Sequence, residues 1–268
     1  MTAGAHPPPM NLSILGWNVA LVLGLMTLLW LISVYLRDVS IVDPWWSMSF
    51  LLVQAHTVAR TGLTPAKTLL LCLVAVWALR LWLHLLWRDR GKPEDPRYAS
   101  FRQRYGPDRY WWVSFFQVFV LQGVLVVFIS SPLQLAAVAG APDPVTATDL
   151  AGLLIFAFGF LFEAVADWQL QSFRRDPGNR GKVLDSGLWR WSRHPNYFGE
   201  AVLWWGFWLF AADQPLGWAT VLAPTLMTFL LLRVSGVTML DTHLTRSKPG
   251  YREYLRRTSA FVPRRPRD

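Results

Sequence analysis

The sequence predicts an all-α integral membrane protein, a bundle of seven transmembrane helices, on three observations. Hydrophobic residues make up 53% of the 268 and the mean hydropathy is +0.28, which is more apolar surface than a soluble domain usually buries. Uncharged stretches near the roughly 20 residues a spanning helix needs recur along the chain. Between them Lys and Arg collect in alternate loops, the bias that orients multi-pass proteins.

The lead-in Met1–Met10 carries no Lys or Arg. The apolar run after it, Leu12–Leu36, is too long for the hydrophobic part of a cleaved signal and is expected to stay as the first helix. Pro44–Ala59 follows, then Ala66–Trp87, Trp112–Ser131, Leu150–Gln171, Tyr197–Ala212 and Leu216–Val234. The second and sixth are short, and the second contains Gln54 and His56, so tilted or re-entrant segments are an alternative for both.

Basic residues fill the loop after the third segment, with Arg88, Arg90, Lys92, Arg97, Arg102, Arg104 and Arg109, and the loop after the fifth, with Arg174, Arg175, Arg180, Lys182, Arg190 and Arg193. The tail from Arg246 to Arg267 adds more, whereas Pro132–Asp149 and Ala212–Pro215 have none. Seven spans with the N-terminus outside and the C-terminus in the cytoplasm put every basic segment on the cytoplasmic face.

The net charge of +9 is therefore mainly a topology signal, with anionic lipid as its general partner. It is spread over three loops without a recognition motif, which argues against nucleic acid. Cys72 is the single cysteine, so no intrachain disulfide or CxxC pair exists. The five histidines (His6, His56, His84, His194, His243) form no HxxxH box, no metal site is expected, and neither GxSxG nor a Rossmann GxGxxG after a strand is present.

Polar residues concentrate instead between Glu163 and Glu200. Glu163, Asp167, Gln171 and Arg174 fall at i, i+4, i+8 and i+11, one stripe of the fifth helix. A charge in an apolar segment costs a few kcal/mol unless paired or hydrated, so the stripe reads as the wall of a polar cleft. After the turn Asp176-Pro-Gly-Asn-Arg-Gly comes Arg193-His194-Pro195-Asn196-Tyr197-Phe198-Gly199-Glu200, with Pro195 suited to the first turn of a helix. A helix N-terminus flanked by Arg190 and Arg193 favours phosphate, and Asn196, Tyr197 and Glu200 add donors and acceptors suited to a ribose or carboxamide. The ligand expected is large, anionic and of mixed polarity.

The run Asp167–Glu200, the end Tyr251-Arg-Glu-Tyr-Leu-Arg-Arg-Thr-Ser-Ala-Phe-Val-Pro, and more weakly Arg37-Asp-Val-Ser-Ile-Val-Asp-Pro-Trp-Trp and Arg80–Tyr98 resemble the bacterial DUF1295 branch of the steroid 5α-reductase family. Sterol C14-reductases and isoprenylcysteine carboxyl methyltransferases carry similar R-H-P-x-Y-x-G-E segments. The resemblance implies a single membrane domain over residues 1–268, with about 12–131 on the substrate side and about 150–268 forming the cofactor side with its cytoplasmic loops. It implies NADPH or S-adenosylmethionine, and the density of Arg around the motif favours the three phosphates of NADPH. Carried over by position, the cofactor set is Asp167, Arg174, Asn196, Tyr197, Glu200 and Arg233; Arg190, Arg193 and His194 join it on electrostatic grounds.

The activity implied is NADPH-dependent reduction of the Δ4 double bond of a 3-oxo-Δ4 steroid, hydride adding at C5 while a donor stabilises the enolate oxygen. The family's acidic donor aligns best with Asp43. Its Tyr position holds Leu85, leaving His84, or Tyr98 if its loop folds in, as the helper; pairing of Asp43 with Arg80, one turn before His84, is the alternative, and would keep Asp43 ionised and unable to donate. Trp45, Trp46 and Trp82 are expected to wall a flat lipophilic substrate. The protein is expected to act as a monomer. A carboxyl methyltransferase, and a reductase of another sterol or polyisoprenoid double bond, are the alternatives.

Overall fold

The computed structural model describes residues 12–138, 144–234, 237, 241–242, 244–245 and 248–267, so His6, His243 and Arg246 lie outside the described residues. Among those described, all regular structure is helical. The chain divides into two compact units, Met1–Thr146 with Gln214–Trp218, and Ala147–Asp213 with Ala219–Asp268.

The first unit begins with α1 (Leu12–Leu36), apolar all round. Only Ile14, Asn18, Val22, Met26, Leu29 and Ser33 are buried, a repeat of three and four residues that marks one inward stripe; Leu28, Leu31 and Trp17 stay exposed on the outside. Such an outside suits lipid. A tight turn at Val39–Ile41 leads into α2 (Val42–Thr61), with Pro44 in its first turn, and α3 (Pro65–Asp89) starts on a Thr64 cap and Pro65. The helices α5 (Pro107–Ser114) and α6 (Leu121–Ile129) are joined by a π-helical stretch, Phe115–Val120, and α7 (Ser131–Val138) follows.

One group of polar side chains buried among these helices is mutually paired. Asn18 on α1 donates to Thr57 Oγ1 on α2 at 2.9 Å and to Gln134 Oε1 on α7 at 2.8 Å, and its Oδ1 lies 2.6 Å from His56 Nδ1. Three helices are thus tied through one amide, at a depth where unpaired polar atoms would be costly.

The basic segment after α3 folds as α4 (Pro96–Tyr105), capped by Asp95, which accepts from Arg97 N. It is clamped to the α1–α2 turn: Val39 N donates to Glu94 Oε1 at 2.9 Å, Asp95 N to Ser40 Oγ at 2.7 Å, and Arg102 forms an ion pair with Glu94 at 2.7 Å.

In the second unit α8 (Ala147–Arg175) and α9 (Pro195–Ala212) form the most extensive helix pair, and small residues explain why. A Cβ on Gly159 would meet Leu203 N at 2.5 Å and Gly199 O at 2.6 Å; one on Gly199 would meet Glu163 N at 2.5 Å. Gly152, seven residues before Gly159, and Gly206, seven after Gly199, repeat this contact: a Cβ on Gly206 would meet Phe156 N at 2.7 Å. The two backbones touch along a glycine seam, as membrane helices do when small residues let them approach. The unit continues through α10 (Leu222–Phe229), a π-helical end Leu230–Val234, and the short α11 (Tyr251–Arg257).

Among the described residues five helical stretches are long and apolar enough to cross a membrane: Leu12–Leu36, Pro65–Asp89, Asp108–Ile129, Ala147–Arg175 and Gly217–Val234. Of the seven spans expected, five therefore have this support. The two remaining segments do form helices, α2 and α9, but they fall short in hydropathy, α2 because Asp43, Gln54, His56 and Arg60 interrupt its apolar run.

Candidate functional site

In the second unit the glycine seam sets α8 and α9 side by side, and polar residues meet along it. Asp167 is buried on α8, and Asn196, in the first turn of α9, donates through Nδ2 to Asp167 Oδ1 at 3.1 Å. Glu163 is buried one turn before Asp167, and Glu200 lies half-buried one turn beyond Asn196. The connecting loop is pinned to α8 as well: Gln169 Oε1 accepts from Leu188 N at 2.9 Å, and Ala166 O accepts from Trp189 Nε1 at 3.0 Å.

Arg193 and His194 meet the C-terminal segment at one carboxylate. Arg193 forms an ion pair with Asp241 at 2.8 Å and donates to the carbonyls of Leu255 and Thr258, while His194 Nε2 lies 3.1 Å from Asp241 Oδ1. Tyr251 donates to the same carboxylate at 2.6 Å, and Tyr254 donates to Trp189 O. Backbone bonds complete the tie, from Arg193 N to Ser259 O and from Arg264 N to Trp191 O. Both side chains hold the C-terminal segment against the loop. The buried ring of His194 also stacks on Tyr197, centroids 5.6 Å apart and planes 4° from parallel, which fixes Tyr197.

Burial works to raise the Asp241 carboxyl, but the hydrogen bonds from His194, Arg193 and Tyr251 outweigh it and hold the pKa down at about 2. Burial and that same carboxylate push the Tyr251 phenol far above its usual value. Arg174, Arg190 and Arg233 are exposed, Arg174 at the end of α8 and Arg233 in the π-helical stretch after α10.

In the first unit the loop does fold in. Tyr98 is buried on α4 and donates to Asp43 Oδ1 at 2.6 Å, and Arg97 forms an ion pair with Asp43 Oδ2 at 2.6 Å while also bonding Asp95. Gln122 Nε2 reaches Tyr98 Oη at 3.5 Å. Burial, reinforced by the Asp43 charge, pushes the Tyr98 phenol well above its usual value, so it stays protonated. Arg97 is thus an ion-pair partner of Asp43; Arg80 and His84 lie one turn apart on α3. Trp45 and Trp82 meet edge to face at 6.0 Å, whereas Trp46 packs on Phe50.

Sequence reasoning missed Arg97 and Asp241. Arg97 had a signal, since Asp95-Pro-Arg-Tyr reads as a helix cap followed by a charge next to the candidate Tyr98. Asp241 had none: it lies 47 residues from His194 in the chain. Among the described residues no three His, Cys, Asp or Glu side chains group to hold a metal ion.

The comparisons can be set beside this geometry. An uncharacterized protein of Schizosaccharomyces pombe is 28% identical over 287 aligned positions, covering 95% of this chain and 80% of its own length. A protein of Ustilaginoidea virens named as a probable O-methyltransferase is 41% identical over 46 residues, 17% of this chain and 16% of that protein. No solved structure matches. The profile of the family described as protein of unknown function (DUF1295) matches residues 29–258, a range that holds the α8–α9 pair, the Arg193–Asp241 tie and the Asp43–Tyr98 cluster; the chain belongs to the DUF1295 family.

Proposed function

We propose that this protein is a membrane-embedded NADPH-dependent reductase of the steroid 5α-reductase type, reducing the double bond of a 3-oxo-Δ4 steroid or a similarly flat lipophilic enone. The observation that carries the reading is the cluster at Asp43. A buried phenol, held protonated and fixed between a carboxylate and Gln122, is the donor a developing enolate needs. Tyr98 can supply that hydrogen bond only by turning its one hydroxyl proton from Asp43 to the entering substrate oxygen, while Arg97 keeps its ion pair with Asp43. Trp45 and Trp82 offer apolar walls.

The donor set of the second unit fits a phosphorylated dinucleotide. Asp167, Asn196 and Glu200 provide acceptors and an amide for ribose and carboxamide groups, and Tyr197 is fixed by its stacking on His194. Arg174, Arg190 and Arg233 supply cations for phosphates. When bound, NADPH supplies hydride to the β-carbon of the enone; with a proton added at the α-carbon, the products are the saturated ketone and NADP+. The basic loops support a cytoplasmic face for the cofactor residues, with the N-terminus outside.

The short likeness to a probable O-methyltransferase favours a second reading, methyl transfer from S-adenosylmethionine to a carboxylate. The two separate in one assay with purified protein. A reductase consumes NADPH only when a 3-oxo-Δ4 steroid is present and releases a product heavier by two hydrogens. Methyl ester formation from S-adenosylmethionine, with no NADPH consumed on a panel of enones, would refute the reductase reading.

A further inference from the structure

The first unit holds a second group of buried polar side chains, at the end where α1 begins, α2 ends and α3 begins. It lies about 16 Å along α2 from Asp43. Most of the group is mutually satisfied: Asn18 donates to Thr57 and Gln134, and Gln134 Nε2 donates to Ser130 Oγ at 2.8 Å. Gln54 stands outside that network. It is fully buried on α2, and neither its Oε1 nor its Nε2 has a hydrogen-bond partner among the described residues. Lys67, in the first turn of α3, is only 3% exposed. The described part of the first unit offers no acid at this end, since residues 1–37, 44–88 and 109–142 contain no Asp or Glu.

The two residues sit on facing stripes. On α2 the buried positions Ser47, Phe50, Gln54 and Thr57 share one face, and on α3 Lys67, Leu70, Val74, Trp77 and Ala78 do. Ser47 Oγ donates to Ala78 O at 2.9 Å, and Phe50 meets Trp77 edge to face at 5.8 Å. Continuing that antiparallel register puts Gln54 between Val74 and Leu70, with Lys67 little more than a turn beyond, near Thr57. Their flexible stems let an amide and an ammonium reach one ligand. A buried amide and a buried charge each cost stability until a partner is supplied. A carboxylate satisfies both: its two oxygens accept from Gln54 Nε2 and from the ammonium, which has a further N–H for Gln54 Oε1. A hydroxyl would leave the charge unmatched, and a dianion would exceed it.

We propose that Gln54 and Lys67 bind the carboxylate of a lipophilic acid at the end of the first unit remote from Asp43. The hydrocarbon is expected to lie on the outside of the helices, where Leu12, Trp17 and Leu63 are exposed. The site does not depend on the reductase reading.

The test is thermal stabilisation of the full chain in a non-ionic detergent at alkaline pH and fixed ionic strength, with oleate, with oleyl alcohol at the same mole fraction, or with acetate. Oleate is expected to raise the melting temperature above the value in oleyl alcohol, since the two probes share a chain and differ in the carboxylate. Lys67→Met is expected to need about tenfold more oleate for the same excess, the loss of a charge-assisted bond. Lys67→Arg, which keeps the charge, is expected to retain most of it. Equal effects of oleate and oleyl alcohol on the wild type would overturn the proposal, as would an oleate excess that Lys67→Met leaves unchanged. A shift with acetate as large as that with oleate would overturn the assignment to a lipophilic acid. Should Lys67→Met not fold, Gln54→Met, which removes both unpaired amide atoms at similar volume, gives the same comparison.

Discussion

Tyr98 and Asp241 show how two buried acid–base contacts serve different ends. At Tyr98 the phenol is the donor and the carboxylate its support, so Tyr98→Phe removes one hydrogen-bonding atom with little change in shape. Steady-state turnover of an enone is expected to fall about a hundredfold, while the melting-temperature shift with NADPH stays at the wild-type value. A loss of both would make Tyr98 structural. At Asp241 the carboxylate receives Arg193, His194 and Tyr251 together. Asp241→Asn leaves the largely buried Arg193 without its counter-charge, and a loss of about 3 kcal/mol is expected in denaturant unfolding.

The same residue sets a pH limit. The folded carboxyl titrates at about 2, below its unfolded value of 3.8, so its contribution is fully present above pH 4 and drains away as pH falls from there through 2. Unfolding midpoints of wild type and Asp241→Asn are expected to converge across that interval. A constant difference between them down to pH 2 would mean that the carboxylate is not what the tie depends on.

At the scale of elements, the contact between α8 and α9 is where a single methyl group matters most. Gly199→Ala forces a Cβ to 2.5 Å from a backbone nitrogen, and a loss of about 1–3 kcal/mol is expected. Gly24→Ala on α1, with nothing within 4 Å, is expected to be neutral or slightly stabilising, since Ala is the better helix former. Comparing the two melting temperatures checks the seam directly.

Elements whose identity depended on length and hydropathy were legible in the sequence: α1, α3 and α8 lie where the apolar runs lie. Helical spacing made Glu163 and Asp167 legible as one face of α8, and Asn196 and Glu200 as one face of α9; the bond from Asn196 to Asp167 is a contact between the helices that spacing does not encode. Two other things were not legible. The difference between α2 or α9 and a full span depends on a few interrupting polar residues such as Gln54 and His56, and α4 forms from a stretch whose composition reads as a basic loop. Its docking rests on Glu94 and Asp95 meeting Val39 and Ser40, 55 residues away in sequence. Contacts of that kind, like Arg193 with Asp241, leave no periodic trace for a pattern to detect.

For the whole molecule, the five apolar helices and the basic segments between them describe a multi-pass membrane protein. With the proposed orientation, a protease site inserted between Pro144 and Thr146 is expected to be cut from outside intact cells, and one placed after Arg265 only once the membrane is opened. Cutting at both sites from the same side would reverse or break the topology.

The most direct measurement is equilibrium binding of NADPH, NADH and S-adenosylmethionine to the purified full chain, followed by thermal stabilisation and repeated for Asp167→Ala and Glu200→Ala. A ligand that binds only the folded state raises apparent stability by mass action. A dinucleotide reductase predicts a shift with NADPH that both substitutions abolish, and none with S-adenosylmethionine. A shift with S-adenosylmethionine alone, lost in those same variants, would contradict it and make the α8–α9 pair a methyl-donor site.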